Sequence, residues 1–306
     1  QEQLGEDCKM PNHRKICRPF GENIGMILGE SAQFVVLMQD SLAFELGLNI
    51  HGAALSSHIH SDGYKKSISG PGAGNYLTVG KIFNEIEKHF STAGLNQTFF
   101  HAHGTSTPQN RESESHIISS ISKAFGVKAL PVTAIKSYLG HSLAAAGGDQ
   151  MISTLGSWKN NIIPGIASTP KLAENVHKEN VEFLLQNKQF KDSEFNFAVL
   201  NAKGFGGNNG TALVASPSKT MKILESKYPK KDIKAYLIKK NNIDDQLNQS
   251  KQKILQGDTK SRYIFGEDVI DGMNDFSIET DKITNKLNKE VFDLNSTLPY
   301  EDFLKK

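Results

Sequence analysis

Several features that would classify this chain at once are scarce in its sequence. It contains two cysteines, Cys8 and Cys17, in 306 residues. They are too few for a disulfide framework and are not spaced as a CxxC metal site, so we predict a protein of the reducing cytoplasm. The 35 Lys and Arg residues are balanced by 33 Asp and Glu, which predicts no nucleic-acid partner. No apolar run reaches the roughly 18 residues that span a bilayer, so we expect no membrane association.

The beginning of the sequence also lacks familiar signals. The run QEQLGEDCKMPNHRKIC has no initiator Met, no apolar signal region and no small-residue cleavage site. We therefore expect a fragment of a longer protein, in which residues 1–24 are a linker or the remnant of a preceding half.

Strand-like and helix-like patterns alternate over residues 25–217, which predicts a layered α/β domain with mixed β-sheets and helices on the sheet faces. The predicted strands are 26–30, 32–38, 50–59, 98–102, 130–135, 195–200 and 211–215, and the predicted helices are 39–46, 75–93, 110–125 and 142–158. Residues 218–306 are rich in Lys, Asn and Asp. That composition is typical of a helical wrapping extension, and we see no chemistry in it.

Three predicted strands end in turns made of glycine and polar residues. The turns are HGTST from His103, KSYLGH from Lys136 and KGFGG from Lys203. In α/β sheets, ligands usually bind where strands hand over to loops. If the three turns share one sheet edge, two imidazoles, two ammonium groups and a glycine-flanked backbone converge there.

His141 lies at the start of a predicted helix, whose positive end disfavours imidazolium. Two neutral imidazoles that aim N–H groups at one point suit an enolate oxyanion. Phe205 has glycine on both sides, so it could offer a backbone N–H to a second oxyanion or swing its ring as a gate.

Two other interpretations remain open at this point. The pairs His101/His103 and His58/His60 each place two imidazoles on one strand face, as in a zinc-dependent hydrolase, although only Asp62 is near as a third ligand. The run GPGAGN at 70–75 could cradle a phosphate, but without a P-loop Lys it is more typical of a turn.

The ordered runs HGTSTP with Glu114, KSYLGH and GFGGNNG, preceded by CRPF at 17–20, resemble the C-terminal motifs of β-ketoacyl synthases of the thiolase superfamily. The resemblance covers residues 17–215. It implies the C-terminal half of a thiolase-like fold, and a decarboxylative Claisen condensation of malonyl-carrier-protein with an acyl thioester in fatty-acid or polyketide synthesis.

The resemblance also implies roles for single residues. His103 and His141 would polarise the malonyl thioester, Lys136 and Glu114 would support them, and Phe205 would be the gate. Thr105, Thr107, Gly204, Gly206 and Gly207 would contact the substrate. No cofactor is implied, since the acyl groups travel on phosphopantetheine or CoA. The implied partners are acyl carrier protein, acyl-CoA and, when full length, a second copy in a homodimer.

Some positions depart from the family pattern. Gln109-Asn110, Lys203 and Asn208 stand where Gly-Asp, an apolar residue and Thr are usual, which resembles a divergent, initiating branch of the synthases. The family's nucleophilic Cys has no counterpart here, because Cys17 falls in the CRPF run and Cys8 has acidic neighbours. We expect this chain alone to be inactive in condensation. The alternative is a non-catalytic subunit that completes a synthase from another chain.

Overall fold

The structure is a computed structural model that describes residues 16–22, 25–63, 72–258 and 269–296. In chain order its elements are α1 Asp40–Leu46, β1 Ala53–Ser61, α2 Ala73–Asn96, β2 Thr98–His101, α3 Pro108–Ala124, β3 Leu130–Thr133, α4 Lys136–Leu139, α5 Ala146–Asn160, β4 Ile162–Ile163, β5 Val181–Phe183, β6 Lys188–Gln189, β7 Phe197–Gly204, β8 Asn208–Ala215, α6 Pro217–Lys227, α7 Lys230–Leu255, β9 Phe276–Ile278, β10 Lys282–Asn285 and β11 Val291–Asp293. Short 3₁₀ turns occupy 143–145 and 205–207. Within the described ranges, no helix is both long and apolar enough to cross a membrane.

The main sheet has six strands in the order β1-β8-β7-β2-β3-β5. The β1, β8 and β7 strands are antiparallel neighbours, whereas β7, β2, β3 and β5 run parallel. The sheet is therefore mixed, as the alternating pattern predicts. Its parallel part aligns the carboxyl ends of β7, β2 and β3 at one edge.

Both faces of this sheet are covered, so its central strands are apolar on both sides. Phe100 faces a core with Ile82 and Ile117 from helices α2 and α3. Phe99, its neighbour in sequence, faces the opposite core, which includes Trp158 of α5. This alternation of successive side chains places α5 on one face and α2 and α3 on the other.

The chain divides after Asp245 into two compact units. In the first unit, Tyr236 of α7 is buried and stacks on Phe44 of α1, with ring centroids 4.4 Å apart. The second unit contains the end of α7 and the antiparallel sheet β11-β10-β9. The expected helix after residue 217 is present as α6 and α7, whereas residues 276–293 form strands, which the sequence did not predict. The domain boundary at 217/218 and the wrapping role stay predictions.

The two earliest strand predictions, 26–30 and 32–38, are wrong. Residues 29–39 have no assigned helix or strand, and Leu28 forms only an isolated parallel bridge to His141. A strand requires a neighbour that pairs with its backbone groups, and none of the described residues pairs with 32–38 as a ladder. The apolar side chains there, including Phe34 and Val36, are exposed.

Other differences are shifts of element ends. Helix α3 begins at Pro108 rather than Asn110, because proline fits the first helical position and Thr107 before it is extended. The predicted helix 142–158 begins with the 3₁₀ turn and becomes α-helical only at Ala146. The predicted strand 195–200 starts at Phe197 and continues to Gly204, through part of the predicted turn.

Candidate active site

The sheet brings the three glycine-containing turns to one edge. Strand β2 pairs in parallel with β3 through His101 and Thr133, and with β7 through His101 and Leu200. All three strands have their carboxyl ends at the same edge of the sheet. The turns that begin at His103, Lys136 and Gly204 are therefore neighbours. The predicted convergence is therefore present in the fold.

His103 and His141 face each other across this edge. Their ring centroids lie 5.3 Å apart, with the rings nearly perpendicular at 83°. The backbone N–H of Lys203 lies 3.2 Å from His103 Nδ1, and the N–H of Leu143 lies 3.1 Å from His141 Nδ1. Because each Nδ1 accepts a hydrogen bond, the proton of each neutral ring is on Nε2. The edge thus holds two imidazoles whose Nε2–H groups are donors.

Burial keeps both rings neutral. Desolvation is the largest cause of the lowered pKa values, and the ammonium of Lys136 is the next. Together they lower the pKa of His103 well below its usual value and the pKa of His141 to about 4. The Asp149 carboxylate opposes the shift at His141. The rings are neutral, as the sequence predicts, but the causes are burial and a neighbouring cation rather than the positive end of a helix.

Lys136 supports the histidine pair through the main chain of His103. Its side chain is buried, and Nζ donates a hydrogen bond of 2.6 Å to the main-chain oxygen of His103. Burial lowers the pKa of Lys136 to about 8, while the Glu114 and Asp149 carboxylates raise it. The lysine therefore contacts the backbone of His103 and places a cation near its ring.

Glu114 fixes the turn that carries His103. Its carboxylate is fully buried and accepts hydrogen bonds from the main-chain nitrogens of His103 at 2.7 Å and Gly104 at 2.9 Å. The amides of Asn110 and Asn201 donate two more, at 2.9 and 2.8 Å. Four donors satisfy one buried carboxylate, so α3, β7 and the turn after β2 are held together at this point.

Thr105 and Thr107 follow His103 in the same turn. Their hydroxyl oxygens lie 3.3 Å apart, and Thr105 is buried. Ser106 between them has φ of +67°, a conformation that few residues other than glycine adopt. The threonines predicted to contact substrate therefore lie in the turn that carries His103.

The turn after β7 presents Phe205 outwards, with 67% of its surface exposed. Gly206 and Gly207 have φ of +77° and +83°, so both need glycine. The Asn208 amide donates a 2.9 Å hydrogen bond to the main-chain oxygen of Phe205. Gly204 before the turn is extended. The predicted gate is thus an exposed ring on a glycine-dependent turn, and its movement stays a prediction.

Several residues at the site were not singled out from the sequence. Gln150 donates 2.9 Å hydrogen bonds to the main-chain oxygens of Ala102 and Asn201, which ties β2 to β7. Asn201 also pairs with Asn75 of α2 at 2.7 Å. Asn201 could have been noticed, since it lies three residues before the GFGG run, whereas nothing in the sequence pairs Gln150 with the strands. Lys203, the second ammonium that the sequence predicts at this edge, is buried and donates to Ser113.

Cys17 lies behind Lys136. Its buried thiol donates a 3.0 Å hydrogen bond to the main-chain oxygen of Lys136 and accepts one from Ser106. The thiol therefore contacts the backbone that carries the lysine. Cys8 lies outside the described residues.

Among the described residues, the histidines proposed as zinc ligands are not joined by further ligands for a metal ion. His101 is buried towards α5, where its ring contacts Thr154, and burial lowers its pKa to about 3. His58 binds Glu85 and His60 binds Lys81. In the part of the chain that the structure describes, no group of three His, Cys, Asp or Glu side chains could hold a metal ion.

The interpretation of residues 70–75 as a phosphate site is also not supported by residues 72–75, the part of this run that the structure describes. The carboxylate of Asp62 accepts the N–H of Gly74 at 2.9 Å and already occupies the start of α2. An anion is thus present at this helix end without a ligand.

Known proteins resemble this chain in both sequence and fold. Residues 52–169 match the family described as the C-terminal domain of β-ketoacyl synthases. The β-ketoacyl-[acyl-carrier-protein] synthase FabY of Pseudomonas aeruginosa is 44% identical over 84% of this chain and 41% of its own length. The 3-oxoacyl-[acyl-carrier-protein] synthase 2 of Vibrio harveyi is 28% identical over 65% of this chain and 46% of its own.

The crystal structure of FabY from P. aeruginosa superimposes with a TM-score of 0.82, at 40% identity, over 95% of this chain and 45% of that one. This chain therefore spans less than half the length of the relatives that it matches. The chain belongs to the β-ketoacyl synthases of thiolase-like fold, and the part of the fold that it supplies is their C-terminal domain.

Proposed function

We propose that this domain supplies the malonyl-binding half of a β-ketoacyl synthase that catalyses decarboxylative Claisen condensation. The observation that carries the proposal is the pair of Nε2–H donors, His103 and His141, whose Nδ1 atoms both accept backbone N–H groups. Such a pair is suited to bind one oxygen that becomes negatively charged during reaction.

In the proposed reaction the malonyl thioester oxygen lies between the two Nε2–H groups. The bond between the malonyl α-carbon and its carboxylate breaks, CO₂ leaves, and the electron pair moves into the thioester to form an enolate. The histidines stabilise the enolate oxygen. The enolate carbon then attacks the carbonyl of a second thioester, whose sulfur leaves as thiolate. No redox step occurs, and the histidine donors need no cofactor.

The remaining residues prepare this site. Lys136 and Glu114 hold the main chain of His103 from two directions, which limits movement of its ring. In this proposal the hydroxyls of Thr105 and Thr107 form hydrogen bonds with the amide groups of a pantetheine arm. Phe205 covers or opens the entrance. Preorganised donors of this kind contribute most when they need not reorient during reaction.

The nucleophile that carries the second thioester comes, in this proposal, from residues other than those of this chain. Cys17 binds the main chain of Lys136 and belongs to the support of the site. We propose acyl carrier protein as the malonyl donor, an acyl-CoA or acyl-carrier-protein as the second substrate, and a cytoplasmic homodimer as the complete enzyme. The likeness to β-ketoacyl-[acyl-carrier-protein] synthases and to polyketide synthases supports fatty-acid or polyketide synthesis as the pathway.

The test uses the product of the complete gene. His103→Ala and His141→Ala should each abolish CO₂ release from malonyl-carrier-protein, and both proteins should keep the thermal stability of the parent. Unimpaired CO₂ release from either variant contradicts the proposal. His60→Ala, at a half-buried position of β1, is the matched control and should leave the rate unchanged.

A further inference from the structure

The turn that follows His141 holds a strained residue. Leu143 has φ of +56°, a left-handed conformation that an L-residue with a branched side chain rarely adopts. In this conformation the Leu143 N–H donates a hydrogen bond of 3.1 Å to Nδ1 of His141. The tautomer of His141 therefore depends on a backbone conformation that is intrinsically unfavourable for Leu143.

A buried carboxylate in the first turn of α5 holds this strained segment. Asp149, in the first turn of α5, accepts a 2.5 Å hydrogen bond from the hydroxyl of Ser142. Ser142 directly precedes Leu143. Since Asp149 is only 7% exposed, few water molecules can replace that hydrogen bond.

The same carboxylate reaches a second segment that also holds His141. The amide of Gln33 donates to the other carboxylate oxygen of Asp149. Upstream of Gln33, the main-chain oxygen of Ile27 accepts the N–H of His141 at 2.7 Å, and the N–H of Gly29 donates to its carbonyl at 3.0 Å. Asp149 thus connects the turn after His141 to the extended segment that pairs with the His141 backbone.

We propose that Asp149 is a positioning residue for His141, acting through the hydroxyl of Ser142 to keep Leu143 left-handed and its N–H on Nδ1. The role of His141 itself rests on the proposed function. Asp149 contacts neither reacting atoms nor the imidazole directly. The charged and titratable groups around His141 are His103, Lys136 and Asp149.

A purely structural role for Asp149 is the competing explanation, because an acidic residue in the first turn stabilises any helix. The two roles differ at Leu143. Glycine adopts the left-handed conformation without strain, so Leu143→Gly should make the carboxylate dispensable for positioning. The same substitution would not restore a lost helix-end interaction.

The first experiment follows the tautomer of His141 by ¹⁵N NMR in the full chain with labelled imidazoles. The parent should show a protonated Nε2 and an unprotonated Nδ1. Asp149→Ala should give a mixture of tautomers, and the double variant Asp149→Ala/Leu143→Gly should return to the parent signal. Asp149→Asn should resemble the parent, because its amide oxygen accepts from Ser142 while its NH₂ donates to the Gln33 side-chain oxygen.

Asp192 offers a matched control. Its carboxylate accepts a 2.6 Å hydrogen bond from Asn161, which is also left-handed with φ of +53° and ends the same helix. Asp192→Ala should leave the His141 signals unchanged. The proposal is wrong if Asp149→Ala leaves the tautomer unchanged, if Asp149→Asn disturbs it as much as alanine, or if Leu143→Gly fails to restore it.

The second experiment measures CO₂ release by the complete enzyme. Asp149→Ala should lower kcat about tenfold with KM nearly unchanged, since a misplaced donor weakens transition-state binding. The Leu143→Gly double variant should recover most of that loss, and its failure to do so contradicts the proposal. If the parent enzyme releases no CO₂, the proposed function fails, and the NMR experiment still decides the positioning role.

Discussion

The ammonium nitrogen of Lys136 lies 2.6 Å from the main-chain oxygen of His103. This contact anchors the turn after β2, and it also places a positive charge near the imidazoles of His103 and His141.

Replacing Lys136 by Met should therefore raise the pKa of His141 from about 4 towards the ordinary value near 6.5, since one of the causes that lower it is removed. Titration of the labelled His141 ring by NMR measures this directly. Lys136→Arg keeps the charge and should leave the pKa low. A His141 pKa that is equal in the Met and Arg variants would contradict the assignment of this effect to charge.

Glu114→Ala should lower the free energy of unfolding by about 3–5 kcal/mol, because it leaves four buried donors without their acceptor. Urea unfolding of the full chain measures the loss. Glu179→Ala is the control: its carboxylate is exposed and pairs with Lys123, so the expected change is within about 0.5 kcal/mol. Similar losses in both variants would refute the special role of Glu114.

The close crossing of the chain beside His141 predicts that Gly29 cannot be enlarged. A Cβ on Gly29 would lie 2.0 Å from the main-chain oxygen of Leu139. Gly29→Ala should therefore cost about 1–3 kcal/mol in thermal or urea unfolding and disturb the His141 signals. Gly156→Ala, inside α5 with no atom within 4 Å of the added Cβ, should instead be neutral or stabilising by about 0.5–1 kcal/mol. Equal effects would rule out the steric explanation.

Buried neutral histidines make stability depend on pH. The pKa values of His101, about 3, and His141, about 4, lie below the unfolded value near 6.5. Between those limits the unfolded chain binds protons that the folded chain excludes, so the free energy of unfolding falls as pH falls from about 6.5. For the fully buried His101 the slope is about 1.4 kcal/mol per pH unit. Urea unfolding at pH 5, 6 and 7 should show a flatter dependence for His101→Asn, and an unaltered slope would contradict it.

The exposed segment 34–38 predicts self-association of the isolated chain. Phe34 is 95% exposed and Val36 80% exposed, within a run of residues that favour β-structure and carry no charge. Phe34→Lys/Val36→Lys should shift light scattering and size-exclusion elution towards the monomer. Ser31→Lys/Ala32→Lys adds the same charge nearby without removing apolar surface and should shift them less. A parent chain that stays monomeric at high protein concentration would contradict this prediction.

Much of the fold follows from local pattern. The alternation of strand and helix, the end of α1 at Gly47 and the strands around His101 and Phe197 agree with the sequence prediction, because these segments have clear periodicity and glycine or proline at their ends. The segment 26–38 has equally clear strand character and still forms no ladder. Strand propensity describes one side of a pairing, and the partner has to come from elsewhere in space.

The sequence by itself determined which residues are candidates for the chemistry: His103, Lys136, His141 and the glycines around Phe205 stand in three recognisable turns. Only the tertiary structure decided how they are held. The parallel pairing of β7, β2 and β3 brings the turns to one edge. Backbone N–H groups then select the tautomers: the N–H of Lys203, 100 residues along the chain from His103, and the N–H of Leu143, which reaches the His141 ring from a left-handed conformation. Hydrogen bonds act over about 3 Å, so their partners are set by the packing of whole elements and are invisible in the spacing of residues along the chain.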